Sequence, residues 1–201
     1  EAKLYNYPVP KDILERALQR VRDIAREQTD SLREARQRAI AIYLLTRNQI
    51  VATSYLVDLH ESLQNSNSDW EQDITAAYLA ASYQLLKKHD IAEELINHYE
   101  LGKPARERTD FQSELTMDAQ YVYLVSSHFP EQQKALDVDT TVMSLLKAPI
   151  NGRINTISSS YTTMALSAYS QQNRNRYGQD NVTFTDISKA LAEHQTLSLN
   201  T

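Results

Sequence analysis

Between residues 10 and 173 apolar side chains return every three or four positions, block after block, and each block ends in a short polar break. That spacing puts them on one face of a helix and does not fit the two-residue alternation of a half-buried strand. Three glycines and five prolines in 201 residues leave few of the turn positions that β-rich folds use. The pattern predicts an all-α chain of at least seven antiparallel helices, with no sheet inside that span and short loops between them.

The first helix starts at Val9-Pro10, since a first-turn proline gives up an N–H that would be unpaired anyway. Its face is Ile13, Leu14, Ala17, Leu18, Val21, Ile24 and Ala25, ending near residue 27. Thr29-Asp30-Ser31 caps a second helix, about 32–47, and a third covers about 51–64. Asp69 caps a fourth that runs to about 88 with Ile74, Ala77, Tyr78, Ala81, Leu85 and Leu86 inward. A fifth spans about 91–101 and stops at Gly102, a left-handed terminator. Asp110 caps a sixth, 111–128, and residues 131–148 are helical with a break at 137–139, followed by a turn at 149–152.

The last helix, about 156–173, is the most informative. Asn155 or Thr156 can cap it, and Ile157, Tyr161, Met164, Ala165 and Ala168 share a face, so Tyr161, Met164 and Ala168 are expected to be buried. Ser158, Ser159, Ser160, Thr162 and Thr163 lie between them. Small hydroxyl residues let another helix approach and can bond back to their own backbone. This is the composition of an inner helix packed among others.

The chain is long enough for one domain with a real core. A net charge of −5 argues against nucleic acid as a partner, because phosphate binding needs a positive surface. No apolar run approaches the roughly 20 residues of a membrane span. The chain opens with Glu1, not Met, and is expected to be a mature or excised segment with any targeting sequence upstream. With no cysteine, disulfides, thiolate nucleophiles and cysteine metal sites are excluded within it.

No chemistry-bearing constellation stands out. His60, His89, His98, His128 and His194 are scattered. Glu94 and His98, four apart on a helix, could hold one edge of a metal, but a helical-bundle site needs further Glu-x-x-His pairs and none is present. The hydroxyl cluster at 158–163 lacks the G-x-S-x-G elbow of a serine nucleophile. The expectation is therefore no catalytic residues, no metal, no cofactor and no enzyme activity. Arg16, Arg20, Arg22, Arg26, Arg33, Arg36 and Arg38 interleave with Glu15, Asp23, Glu27, Asp30 and Glu34, which reads as a solvated helical hairpin, or more sharply as a dock for an acidic partner. Twelve tyrosines against three phenylalanines read as helix packing with hydroxyls at wet ends, or as an aromatic protein-binding face. Asn181-Val182-Thr183 matches a glycosylation acceptor, a three-residue pattern too short to carry weight.

After residue 173 the pattern changes. Val182–Thr185 and Thr196–Leu199 alternate as strands do. The expected organisation is a helical domain, 1–175, and a β-prone tail, 176–201, holding a connector and the first strands of a following β domain.

Three stretches carry a resemblance: Tyr7-Pro8-Val9-Pro10 with Ile13-Leu14-Glu15-Arg16-Ala17-Leu18, then Ala76 through Tyr83 to Lys88, and, most specifically, Gly152-Arg153-Ile154 through Tyr161 and Ala165 to Tyr169. In this order, over roughly residues 5–172, the chain resembles the helical thioester-type domain of the bacterial alpha-2-macroglobulin family. The resemblance implies an α/α toroid of concentric inner and outer helices, here partial. It implies a place in a large periplasmic protein that traps attacking proteases. The partners implied are the other domains of that protein, proteases, and peptidoglycan-synthesis or envelope proteins, with any inner-membrane anchor outside this segment. Thioester-bearing members capture proteases through a Cys–Gln bond from a Cys-x-Glu-Gln motif. Without a cysteine that chemistry maps onto no residue here, so the motif lies upstream or the protein is one of the members that lack it. A tetratricopeptide-like scaffold is the alternative, on the spacing of Leu79, Ala80, Tyr83, Ala92 and Pro104, although that array needs repetition every 34 residues and one copy is found. An α/α-toroid enzyme with a carboxylate pair in a helical funnel is the third reading.

Overall fold

Nine α-helices follow one another among the residues that the computed structural model describes, 7–66, 68–103 and 113–177. They are α1 (Lys11–Arg26), α2 (Leu32–Arg47), α3 (Thr53–Gln64), α4 (Ile74–Leu85), α5 (His89–Ile96), α6 (Glu114–His128), α7 (Pro130–Ala135), α8 (Val138–Ile150) and α9 (Thr156–Tyr177). A 3-10 turn, Trp70–Gln72, precedes α4. There is no strand among the described residues, as the periodicity requires. The tail at 178–201, the proposed Asp110 cap, Pro104 and the Asn181-Val182-Thr183 triplet lie outside them.

Short polar side chains start the helices. Ser31 Oγ accepts the Glu34 N–H while the Glu34 carboxylate takes the Asp30 N–H at 2.9 Å. Asp137 accepts the Thr140 N–H at 2.7 Å, and this divides the 131–148 region into α7 and α8 at the expected break. Asn155 and Ser158 exchange bonds at the start of α9: the Ser158 N–H reaches Asn155 Oδ1 at 2.9 Å and the Asn155 N–H reaches Ser158 Oγ at 3.0 Å. This is a capping box with serine in the place usually held by glutamate.

Several boundaries differ from those read in the sequence. The fourth helix begins at Ile74 and its cap is Asp73, not Asp69. Asp73 takes both the N–H and the hydroxyl of Thr75 and also meets an arginine, which Asp69 does not, so the regular helix starts there. It ends at Leu85. The Lys88 N–H bonds the Tyr83 carbonyl and the Lys87 N–H bonds that of Gln84, with Lys87 at φ 60°. The same paired closure ends α2 at Gln49, φ 60°, and α8 at Gly152, φ 68°. These are Schellman ends, and only the last uses the expected glycine. Helix α5 stops at Ile96, so Gly102 does not terminate it; its φ of 75° serves a separate turn. Pro149 sits in the last turn of α8, not beyond it. The sixth helix starts at Glu114 behind a Ser113 cap.

Helices α2, α4 and α6 run in the same direction, because like ends meet like ends. Arg36 in the first half of α2 bonds Asp73 at the start of α4. Tyr43 near the end of α2 bonds His128 at the end of α6, and Gln84 near the end of α4 donates to the His128 carbonyl. Helices α3 and α5 carry the chain back between them. Helix α2 packs on α4, α4 on α6 and α6 on α9, forming a row, with α1 against α2.

Inside this row α4 and α6 have almost no solvent side. Ile74–Tyr83 and Leu115–Ser126 are buried without interruption. Ala76, Ala77, Ala80 and Ala81 leave room for neighbours around α4, and each large aliphatic side chain so enclosed contributes about 1.5–3 kcal/mol. The buried stripe of α9 is Ser158, Thr162, Ala165 and Tyr169, while Tyr161, Met164 and Ala168 are half-buried flanks. The expected face is therefore rotated by about one position. The line of α9 that is buried deepest carries three small side chains, and the bulkier methionine stands aside. On α1, Ala25 alone is buried, and Ile13 and Ala17 stay exposed although they share the predicted face.

Leu124→Ala, at a fully buried site in α6, should lower stability by about 2–5 kcal/mol. Met164→Ala should cost about 1 kcal/mol, because half of its surface is already open. Denaturant midpoints of the two variants check the ratio.

Candidate functional site

The buried polar groups are the places where chemistry could reside. Arg36 is 2% exposed and grips Asp73 with two bonds, Nε to Oδ1 at 3.0 Å and Nη2 to Oδ2 at 2.6 Å. Arg38, also buried, donates from Nε to the Ala25 carbonyl at 3.0 Å and from Nη2 to Asp58 at 2.6 Å. One arginine thus ties α2 to α4, and the other ties it to α1 and α3. Both depart from the solvated-hairpin reading. The signal was present in the spacing: Arg36 lies four after Leu32 and seven before Tyr43, and Arg38 three after Ala35 and four before Ile42, all inward positions.

Tyrosines and histidines form a second set. The Tyr43 hydroxyl and His128 Nε2 are 2.8 Å apart, and Arg47 stands over the rings of Tyr43 and Tyr123 at 6.0 and 5.8 Å. Burial, with a smaller push from the Arg47 charge, lowers the His128 pKa to about 4, so its imidazole is neutral near neutral pH. His60 Nδ1 lies 3.0 Å from the Tyr83 hydroxyl, with its ring edge-on to Trp70, and burial lowers its pKa too. Tyr99 and Tyr121 stack at 4.7 Å, and the Tyr121 hydroxyl donates to the Ile96 carbonyl. Four hydroxyls therefore end on protein partners inside the fold. That bears out packing and corrects the expectation of wet ends.

The deepest carboxylate is Asp118 on α6, 1% exposed. It accepts the Tyr99 hydroxyl at 2.9 Å and the Gly102 N–H at 3.1 Å. Burial pushes its pKa up to about 7, against the lowering by those two bonds. Gly102 needs its positive φ to present that N–H, which is the true reason for a glycine there.

These groups are pins between helices. Each is walled in and occupied by its neighbours, so no nucleophile, base and oxyanion donor face a common space. Among the described residues no three metal-ligating side chains converge. Glu94 and His98 do not share a helix face, since α5 ends at Ile96 and His98 lies beyond it. In the hydroxyl cluster Ser160 and Thr163 bond back to the Thr156 and Ser159 carbonyls and Ser158 caps the helix, which is structural work. What the exterior offers is apolar: Tyr7 and Ile13 at one end of the row, and Met143, Ile150 and Ile154 on and after α8.

The chain is 35% identical over 167 residues to the alpha-2-macroglobulin of Rickettsia conorii, a match covering 82% of this chain and 9% of that protein. It is 34% identical over 178 residues to an alpha-2-macroglobulin homolog of Yersinia pestis, covering 86% of this chain and 9% of the relative. It is 34% identical over 155 residues to the alpha-2-macroglobulin of Pasteurella multocida, covering 74% and 8%. The chain thus spans less than a tenth of the length of these curated relatives. No family model and no solved structure matches it.

Replacing Arg36 by Leu strands a carboxylate that is 10% exposed, and should cost about 3–5 kcal/mol. Breaking the exposed Arg16–Asp12 pair with Arg16→Ala should cost under about 1 kcal/mol. Asp118 gives a pH signature. Its folded pKa of about 7 lies above the ordinary 3.8, so the folded state binds the proton more tightly, and this group's contribution to stability falls as pH rises from about 4 to about 7. Asp118→Asn should remove that slope, read as the difference between denaturant midpoints at about pH 5 and about pH 8.

Proposed function

Since this chain belongs to the bacterial alpha-2-macroglobulin family, we propose that it is a non-catalytic helical module of a much longer periplasmic protein that traps proteases in envelope defence. The observation that carries this reading is the extent of the likeness. It spans 155–178 residues, so what is shared is the helical array as a whole and not one motif. The alternation of α2, α4 and α6 with the returning α3 and α5 supports an α/α toroid, of which this chain supplies part. On this reading the helical domain ends near residue 175, and residues 176–201 open an adjoining β domain.

The residues define what such a module contributes. It supplies no cysteine, so a Cys–Gln bond cannot be made from its own side chains. Its part is mechanical: a body held by the Arg36–Asp73 and Asp118–Tyr99 pins, which presents surfaces to the other domains of the protein, to a captured protease, and to peptidoglycan-synthesis or envelope proteins.

The test uses the whole protein that contains this segment. After incubation with a protease, cleavage of a protein substrate should fall severalfold while cleavage of a short peptide substrate persists, since a caged protease stays active toward what diffuses in. Unchanged cleavage of the protein substrate, or equal loss with both substrates, would overturn the trapping reading.

A further inference from the structure

Helix α8 is apolar on two sides. Its inner side buries Thr141 and Leu145 and packs on α6. On its outer side Met143, 54% exposed, is followed at helical spacing by Leu146 and by Ile150, 55% exposed, and the row continues to Ile154 after the turn. Asp139 and Lys147 are the only charges in the helix. A helix apolar all round belongs under cover, and a contiguous exposed apolar row marks a contact surface.

The course of the chain identifies the cover. Gln133 on α7 donates to Asn173 of α9 at 3.2 Å, so the last turns of α9 lie beside the α7–α8 junction. Helix α9 ends at Tyr177, four residues on. The chain therefore leaves the helical body next to the start of α8, at one end of the apolar row. Residues 178–201 carry Val182, Phe184, Ile187, Leu191, Leu197 and Leu199, which need an apolar surface of their own. Met143 to Ile150 spans about 11 Å at 1.5 Å per residue. An extended chain covers about 3.3 Å per residue, so reach sets no limit. We propose that residues 178–201 seat their apolar side chains on the outer row of α8, covering Met143, Leu146 and Ile150. This needs the exit point and the exposed row alone, and it does not depend on protease trapping.

The three methionines make the test direct, since Met117 is buried in α6 and Met164 is half-buried in α9. The full chain and a Val182→Asp/Phe184→Asp variant of the same length are oxidised with dilute peroxide, and each methionine is followed by mass spectrometry. Met143 should oxidise severalfold more slowly in the full chain than in the variant, with Met117 slow in both as the check that the helical body is intact. Equal Met143 rates in the two proteins would overturn the proposal. So would protection of Met143 that vanishes on dilution, which would make a second copy of the chain the cover.

Discussion

A helix with no solvent-facing side dictates much of this structure. From Leu115 to Ser126 every residue of α6 is buried, and that is possible only if other elements surround it: α4 on one flank, α9 along another, α7 and α8 beyond. Burial on every side also places polar groups where water cannot serve them. Asp118 meets this by drawing in the Tyr99 hydroxyl and the Gly102 N–H, and in doing so shapes residues 97–103 after α5. The conformation of that connection is a consequence of where a carboxylate sits on a neighbouring helix. Oε1 of Gln120 and Oγ of Ser126 have no protein partner, a cost the packing around α6 absorbs.

The second organising element is the pair of arginines on α2. Long side chains with fixed planar heads can hold a carboxylate in two places at once. Arg36 uses this to bind the residue that also caps α4, so one aspartate sets both where that helix begins and how it is placed against α2. Arg38 does the same for α1 and α3 with a backbone carbonyl and an exposed carboxylate. Removing a partner from the first pair leaves a buried charge, whereas Asp58 of the second is already in water. The two pins therefore differ greatly in what they contribute to stability.

The existence and order of the helices were readable because each buries a face, and burial writes a period into the sequence. Their ends were not. Schellman closures at Gln49 and Lys87 use residues that carry no turn signature, since three-dimensional hydrogen bonding supplies what glycine normally would. Asp69 and Asp73 look alike as caps, and only the arginine arriving from α2 separates them. The inward line of α9 was misplaced by about one position because hydrophobicity favours Met164, whereas the line buried deepest is Ser158, Thr162 and Ala165. Charged residues were assigned to water by default, which hid Arg36 and Arg38 despite their inward spacing. Among the chemical candidates, the Glu94–His98 pairing failed because the helix it relied on stops at Ile96.

The thin anchoring of α1 has a consequence for how the molecule comes apart. Neighbours in the chain are largely neighbours in space, so the structure is close to a line of nearest-neighbour contacts, and such lines open from their ends. With Ala25 its one fully enclosed residue, α1 can lift from α2 at small cost, while α4 and α6 cannot move without exposing their whole length. The array thus has a graded rigidity, loose at its first helix and firm in its middle. In a larger protein that gradient sets a direction: a pull applied through the N-terminal side is relieved by release of α1, and the helices behind it keep their positions.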